Sequence, residues 1–182
     1  MAQKRKDWNG LISGFKASDL VFLDESGCNT DMTRRYAYSL GGSRAVDSAP
    51  LSKPKNTTIL SSIQLDGTLR YTTFSGGTTV ERFKRYLETD LLPHLNGNSV
   101  LIMDNMKSHH AKAVRNLLDS SGVRYIYLPP YSPDLNPIEK LWSKVKALLR
   151  KFKARTLDAL PNAIQNAFHS VTVSNCSGWF RF

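Results

Sequence analysis

Cysteine is almost missing from this chain: Cys28 and Cys176 are the only two in 182 residues. They are too few and too far apart for a disulfide framework or a thiolate zinc site, they fit a reducing cytoplasm, and they read as small apolar fillers. Long hydrophobic runs are missing too. Nowhere do 18 apolar residues stand together, and no apolar stretch follows the basic start Lys4, Arg5, Lys6 as a secretory signal would require. The expectation is a soluble protein that is not exported. Acids are scarce, with fifteen Asp and Glu against twenty-five Lys and Arg, a formal charge of +10 and an isoelectric point near 9.8. Such an excess suits a polyanionic partner such as nucleic acid. Internal repeats and low-complexity tracts are absent as well.

With 41% apolar residues the chain can bury one core, and its length favours a single domain. Residues 1–18 read as a basic N-terminal segment, poorly ordered or a remnant linker, and 19–182 as the folded domain. Residues 20–24 (LVFLD) are a short apolar run ending on an acid, which predicts a buried strand. A long polar, Gly-rich stretch follows. Residues 57–65 and 68–74 are β-rich and flank Asp66-Gly67, a strong hairpin signal.

Thr78 with Glu81 forms a capping-box pattern, and Val80, Phe83, Leu87 and Leu91 then recur at helical spacing up to Pro93. Residues 99–103 (SVLIM) predict another strand ending on an acid, Asp104. Ala111, Val114, Leu117 and Leu118 mark a helix closed by Gly122, and 123–128 (VRYIYL) a fifth strand stopped by Pro129-Pro130. Asn136 as N-cap, Pro137 at the first helical position and Leu141, Val145, Leu148 and Phe152 as the apolar face predict a helix from about 137 to 153. A last helix is expected near 158–170 on Leu160, Ile164 and Phe168, with Pro161 tolerable only in its first turn.

Three antiparallel strands followed by helix, strand, helix, strand and a terminal helix is the order of a ribonuclease H-like α/β domain: a mixed five-stranded sheet, three strands antiparallel and two parallel, flanked by helices. The short crossover helices require the later strands to run parallel beside the first. Asp24 and Asp104 then stand side by side at the carboxyl edge of the sheet. Glu139, in the first turn of the long helix, completes a set of three acids. Adjacent carboxylates repel unless a cation lies between them, and hard oxygen ligands select Mg²⁺ or Mn²⁺. Two such ions can activate an attacking hydroxyl and stabilise the leaving oxygen at phosphorus, with Asp24 shared and Asp104 and Glu139 each completing one coordination sphere. Taken singly, each acid also has a plain structural reading. An Asp after a strand is ordinarily a turn residue, and Glu139 sits where a capping box anchored at Asn136 wants a carboxylate.

The stretches VFLDESG (21–27), LIMDNMKSHHA (101–111) and YLPPYSPDLNPIEKLWSKVK (127–146) resemble the mariner-type superfamily of transposases, including its bacterial insertion-sequence members, whose catalytic triad is two aspartates and a glutamate. Thirty-four residues lie between Asp104 and Glu139, a separation characteristic of many members. The resemblance runs from about Asp19 to the C-terminus, where NCSGWFRF (175–182) looks like the family's closing segment without its final residues. It implies Asp24, Asp104 and Glu139 as catalytic residues and metal ligands, two Mg²⁺ or Mn²⁺ ions per site, cutting at element ends, and transfer of the 3′-hydroxyl into target DNA. It also implies a homodimer in the active complex and a bacterial cytoplasmic, nucleoid-associated setting. The alternatives are a related metal nuclease without strand transfer and an inactive DNA-binding remnant. Complete members carry helix-turn-helix modules before the catalytic domain, and nothing upstream of Asp19 is long enough to form them. The expectation is a fragment, a second reading frame fused by frameshifting, or a decayed copy, with helix-turn-helix modules supplied by another polypeptide or frame.

Asn105 and His109 match the family's D-N-x-x-x-H pattern, which would set His109 one helical turn beyond Asp104, near a metal-bound phosphate. A helix-surface histidine with no role is the alternative, and His110 reads as incidental. The PPYSPDLNP run is a rigid connector delivering Glu139 to the sheet edge. Tyr131 and Trp142 could stack on a base or pack, and packing is favoured for Trp142. Seven cations, Lys140, Lys144, Lys146, Arg150, Lys151, Lys153 and Arg155, against one acid between 138 and 155 suggest an outward stripe beside the site. Lys140, Lys144, Lys146, Arg150 and Lys151 are the candidate DNA contacts; a solvated helix face is the plainer reading.

Overall fold

The computed structural model describes residues 2–34, 36–51 and 54–181; Met1 and Phe182, the outer ends of the expected N-terminal and closing segments, lie outside them. In chain order the elements are α1 (Ala2–Ile12), β1 (Leu20–Cys28), β2 (Thr57–Gln64), β3 (Leu69–Ser75), α2 (Val80–Tyr86), β4 (Val100–Met103), α3 (Lys112–Ser121), β5 (Arg124–Tyr127), α4 (Ile138–Phe152), α5 (Ala159–His169) and α6 (Val173–Trp179). One five-stranded sheet has the order β3-β2-β1-β4-β5. β1 pairs antiparallel with β2 and β2 with β3, whereas β4 runs parallel to both β1 and β5. This is the mixed sheet expected from the order of the elements.

Alternation along the strands separates two cores. Leu20 and Phe22 of β1 and Val100 and Ile102 of β4 face a layer of α1, α4, α5 and α6, where they join Trp8, Trp142, Ile164 and Phe168. Val21, Leu23, Leu101 and Met103 point the other way, onto Phe83, Tyr86 and Leu91 and onto Val114 and Leu118 of α3. Each such fully buried side chain contributes roughly 1.5–3 kcal/mol relative to exposure, so a sheet packed on both faces is the rigid platform of the molecule. The β2–β3 hairpin turns at Asp66-Gly67, with Gly67 at φ 91° and Asp66 Oδ1 accepting the Thr68 N–H at 2.8 Å; only glycine takes that φ without strain.

Several boundaries differ from the sequence expectation. β1 continues four residues past Asp24, because Glu25 to Cys28 keep pairing with β2. The cap of α2 is Thr79, whose hydroxyl accepts the Arg82 N–H, rather than Thr78. Beyond Tyr86 the helix widens into a π turn over Leu87–Leu91, which keeps Leu87 and Leu91 buried. In α4 the buried face is Ile138, Leu141, Trp142, Val145 and Leu149, so Phe152, expected inside, is 42% exposed. The N-terminal segment, expected to be loose, is a helix whose Trp8 and Ile12 enter the larger core. Arg5 ties it to the connector ahead of α4, donating to Ser132 Oγ at 3.2 Å and pairing with Asp134. α6 was not foreseen, although its Thr172–Asn175 capping box is a legible signal.

Candidate active site

The register of β1 against β4 brings the two aspartates together. Leu23 pairs with Met103, so the next residue on each parallel strand, Asp24 and Asp104, sits at the same sheet edge. Both continue the alternation of Phe22 and Ile102, which puts them on the α4 side. Glu139, the second residue of α4, opens on the same cleft. Asp24, Asp104, Asn105, Tyr131, Asn136 and Glu139 are among the walls of this open hollow of about 440 Å³.

Asp24 is buried. Its Oδ1 accepts the Glu25 N–H at 2.8 Å and its Oδ2 accepts the indole N–H of Trp142 at 3.2 Å. Burial pushes its carboxyl up to about 7, and the charges of Asp104 and Glu139 add to the rise against the pull of those two donors. Asp104 goes the other way. Its burial favours the neutral acid, but hydrogen bonds from His109 and the Met106 N–H, with the charge of the neighbouring histidines, hold it below the ordinary carboxylate range. Burial and neighbouring charge thus drive two adjacent acids in opposite directions, a pattern that functional sites share with structural ion-pair networks.

Glu139 is exposed, and no side chain caps the start of α4. The capping-box reading of Glu139 therefore lapses. Asn136 has the extended backbone expected ahead of the helix, but its Oδ1 is buried without a hydrogen-bond partner beside the cleft. Among the described residues no three acid, histidine or cysteine side chains stand as a ready metal-ligand group. The donors on the cleft are hard oxygens, the chemistry Mg²⁺ and Mn²⁺ select.

The secondary residues are placed differently from expectation. After Asp104 the chain turns instead of starting a helix, since Asp104 Oδ1 accepts the Met106 N–H at 2.9 Å and α3 begins only at Lys112. His109 is therefore carried under the sheet edge, fully buried and stacked on Phe83 with ring centroids 4.2 Å apart. It cannot touch a phosphate in the cleft. Its Nδ1 lies 2.9 Å from Asp104 Oδ1 and its Nε2 3.3 Å from Glu25 Oε2. Burial favours the neutral ring, but the flanking carboxylates of Asp104 and Glu25 outweigh it and raise His109 to about 9. Asn105 donates to the Leu128 carbonyl and lines the cleft, pinning the Asp104 loop to the start of the connector. His110 is not incidental, for its Nε2 meets Asn105 Oδ1 at 3.1 Å and its ring stacks on Tyr127.

The basic stripe divides. Lys146 and Arg150 follow Glu139 at i+7 and i+11 along one line of α4 and border a second hollow with Asn29 and Asn56. Lys140 and Lys151 are exposed on another side of the helix. Lys144 is engaged within the fold, donating to the Ser170 carbonyl at 2.7 Å and Asn175 Oδ1 at 2.6 Å. Lys153 pairs with Asp47, and Arg155 donates to the carbonyls of Thr30 and Met32. Sequence reasoning missed Glu25 and the Trp142 donor. Strand alternation was the available signal for Glu25, since neighbours in a strand face opposite sides.

The family model of the DDE superfamily endonucleases matches residues 19–161. The chain belongs to that family. This DDE chain is 30% identical over 97 residues to the Tc1 transposase of Caenorhabditis elegans, covering 51% of the present chain and 36% of that protein. Its fold is that of the mariner Mos1 transposase and is ribonuclease H-like. Against a pre-cleavage Mos1 transpososome the TM-score is 0.83 at 20% identity, covering 99% of this chain and 58% of that one. Against the isolated Mos1 catalytic domain it is 0.74 at 17% identity, covering 98% and 85%. The chain thus spans about a third of the Tc1 protein and little more than half of Mos1 in the complex.

Proposed function

We propose that this DDE domain is the catalytic part of a DNA transposase, using Asp24, Asp104 and Glu139 to cut element ends and join their 3′-hydroxyls to target DNA. The observation carrying this reading is the convergence of the three acids, from β1, the end of β4 and the first turn of α4, on one open cleft. Asp24 would be shared by two Mg²⁺ or Mn²⁺ ions, with Asp104 and Glu139 each holding one. Such ions supply activation of the attacking oxygen and stabilisation of the leaving oxygen in an in-line displacement at phosphorus. Mos1 structures with Mn and with Mg support a divalent cation in this fold.

The remaining work falls to the protein. The Glu25 N–H and the Trp142 indole each fix one oxygen of Asp24 and so set its orientation, while His109 and the Met106 N–H engage one oxygen of Asp104 and leave the other for the cleft. Asn105 holds the Asp104 loop against Leu128, and the proline-rich connector carries Glu139. Lys146 and Arg150, in line with Glu139, neutralise phosphates of a strand running along α4, while Lys140 and Lys151 reach a second strand or remain solvated. Mos1 is seen in paired-end and transpososome complexes, which supports DNA as substrate and a second copy as partner, with helix-turn-helix modules contributed from elsewhere. The two buried, unpaired cysteines suit a reducing cytoplasm.

The test supplies a pre-cut element end, a target duplex and Mg²⁺ or Mn²⁺. Wild type is expected to give joined product and Asp104→Asn none. Cleavage without joining would reduce the reading to a metal nuclease, and equal activity in both proteins would remove the mechanism.

A further inference from the structure

Asp24 and Glu25 are consecutive on β1, so their side chains leave the sheet on opposite faces. Asp24 reaches the cleft. Glu25 points into the α2/α3 layer, where its side chain is only 10% exposed, and both carboxylate oxygens are buried with no hydrogen-bond partner. Among the described residues its ionic partner is His109, with Nε2 3.3 Å from Oε2, a charge contact in which neither atom completes a hydrogen bond. The opposite ring nitrogen, Nδ1, is 2.9 Å from Asp104 Oδ1, and Phe83 covers the ring face at 4.2 Å. The Tyr127 hydroxyl holds the backbone of the same residue, donating to the His109 carbonyl at 3.0 Å. The imidazole is thus a fixed spacer between an acid under β1 and an acid at the end of β4.

We infer that Glu25 is a positioning residue for the metal centre, acting through His109 to fix the rotamer of Asp104. The Met106 N–H donates to Asp104 Oδ1 at 2.9 Å, and His109 Nδ1 lies 2.9 Å from the same oxygen and 3.3 Å from the Asp104 carbonyl oxygen, so Oδ2 is the oxygen left for the cleft. Without Glu25 the ring has Asp104 at one nitrogen and nothing at the other, and its tilt over Phe83 is no longer set from both ends. Asp104 then samples rotamers in which the wrong oxygen, or neither, faces the cleft. Partners behind metal ligands commonly carry such orientation, and their loss typically lowers metal affinity about 10–100-fold. The inference rests on the reading that the cleft binds divalent cations.

The test measures Mn²⁺ binding to the whole chain by calorimetry, without DNA and without turnover, in three substitutions. Glu25→Gln keeps the length and an acceptor oxygen, and is expected to bind within about threefold of wild type. Glu25→Asp keeps the charge but falls a methylene short of His109, and Glu25→Leu fills the space without an acceptor; each is expected to bind about tenfold more weakly. Should Glu25→Leu fail to fold, the contrast between Gln and Asp still decides. In a His109→Asn background the Glu25 substitutions are expected to change nothing further. Wild-type affinity in Glu25→Asp overturns the inference, and so does a full additional loss in the His109→Asn background, which would make Glu25 a ligand itself. If wild type binds no Mn²⁺, the metal-site reading fails and this inference falls with it, an outcome distinct from equal binding by all variants.

Discussion

The indole N–H of Trp142 donates to Oδ2 of Asp24 across 3.2 Å, joining residues 118 apart in sequence. Packing, the role expected of this tryptophan, is also met, for the ring is buried and lies edge-on to Phe168. Trp142→Phe keeps most of the packing and removes the donor. The Mn²⁺ concentration giving half-maximal cleavage is expected to rise about tenfold, while the melting temperature falls by only a few degrees. An unchanged metal dependence would separate the indole from the chemistry.

Asp24 carries a cost that metal would relieve. Its folded pKa, about 7, lies above the ordinary 3.8, so the fold favours the neutral acid. That contribution is fully present below pH 4 and is lost as pH rises through 7. Metal-free wild type should therefore lose stability between about pH 4 and 7 by up to a few kcal/mol. Asp24→Asn should lack this slope and melt several degrees higher than wild type at pH 8, at about 2–4 °C per kcal/mol for a chain of this size, while showing no cleavage. Thermal melts in chelator across pH check the sign. A wild-type curve that rises from pH 4 to 7 in parallel with that of Asp24→Asn contradicts it.

The cations of α4 should divide as their contacts do. Lys146→Ala and Arg150→Ala are expected to weaken DNA binding with little regard to sequence. Each should lower the slope of log affinity against log salt by about 1. Lys144→Ala should leave that slope unchanged and lower the melting temperature, since it strips the α5–α6 junction of two hydrogen bonds worth roughly 1–3 kcal/mol together. Fluorescence anisotropy at several salt concentrations beside thermal melts distinguishes the two classes.

Trp8 docks α1 by shape alone, because its Nε1 is buried without a hydrogen-bond partner. Trp8→Phe is expected to be close to neutral, losing some contact but relieving an unsatisfied donor, whereas Trp8→Ala should cost about 3 kcal/mol or more. Urea denaturation of the two variants gives the comparison; similar losses in both would mean that the donor has a partner in solution.

The sheet was readable because each strand is an apolar run closed by a turn residue or an acid, and the hairpin glycine stands where its φ demands. The meeting of Asp24, Asp104 and Glu139 on one cleft was readable because two of those runs end on the aspartates and the third acid follows a proline-rich connector. Other features depend on three-dimensional contacts. Expectation put His109 on a helix, but Asp104 bonds back to the Met106 N–H and turns the chain inward. The α4 stripe allowed two faces, and Trp142 and Leu149 are the fully buried members, with Leu148 only partly buried and Phe152 largely outside. α1 has only Trp8, Leu11 and Ile12 among its charges, and it is ordered by the core and by Asp134 rather than by its own periodicity.

The pairing of β1 on both flanks, antiparallel to β2 and parallel to β4, guards against a particular error. Sliding this strand by one position would exchange the two consecutive acids, sending the longer side chain into the opening and the shorter one beneath the imidazole. Two ladders of backbone bonds oppose that slip. A single-residue insertion or deletion just before Leu20 should be absorbed by the preceding turn, whereas one between Leu20 and Asp24 would disable the protein by misplacing the acids and exchanging strand residues between the two cores.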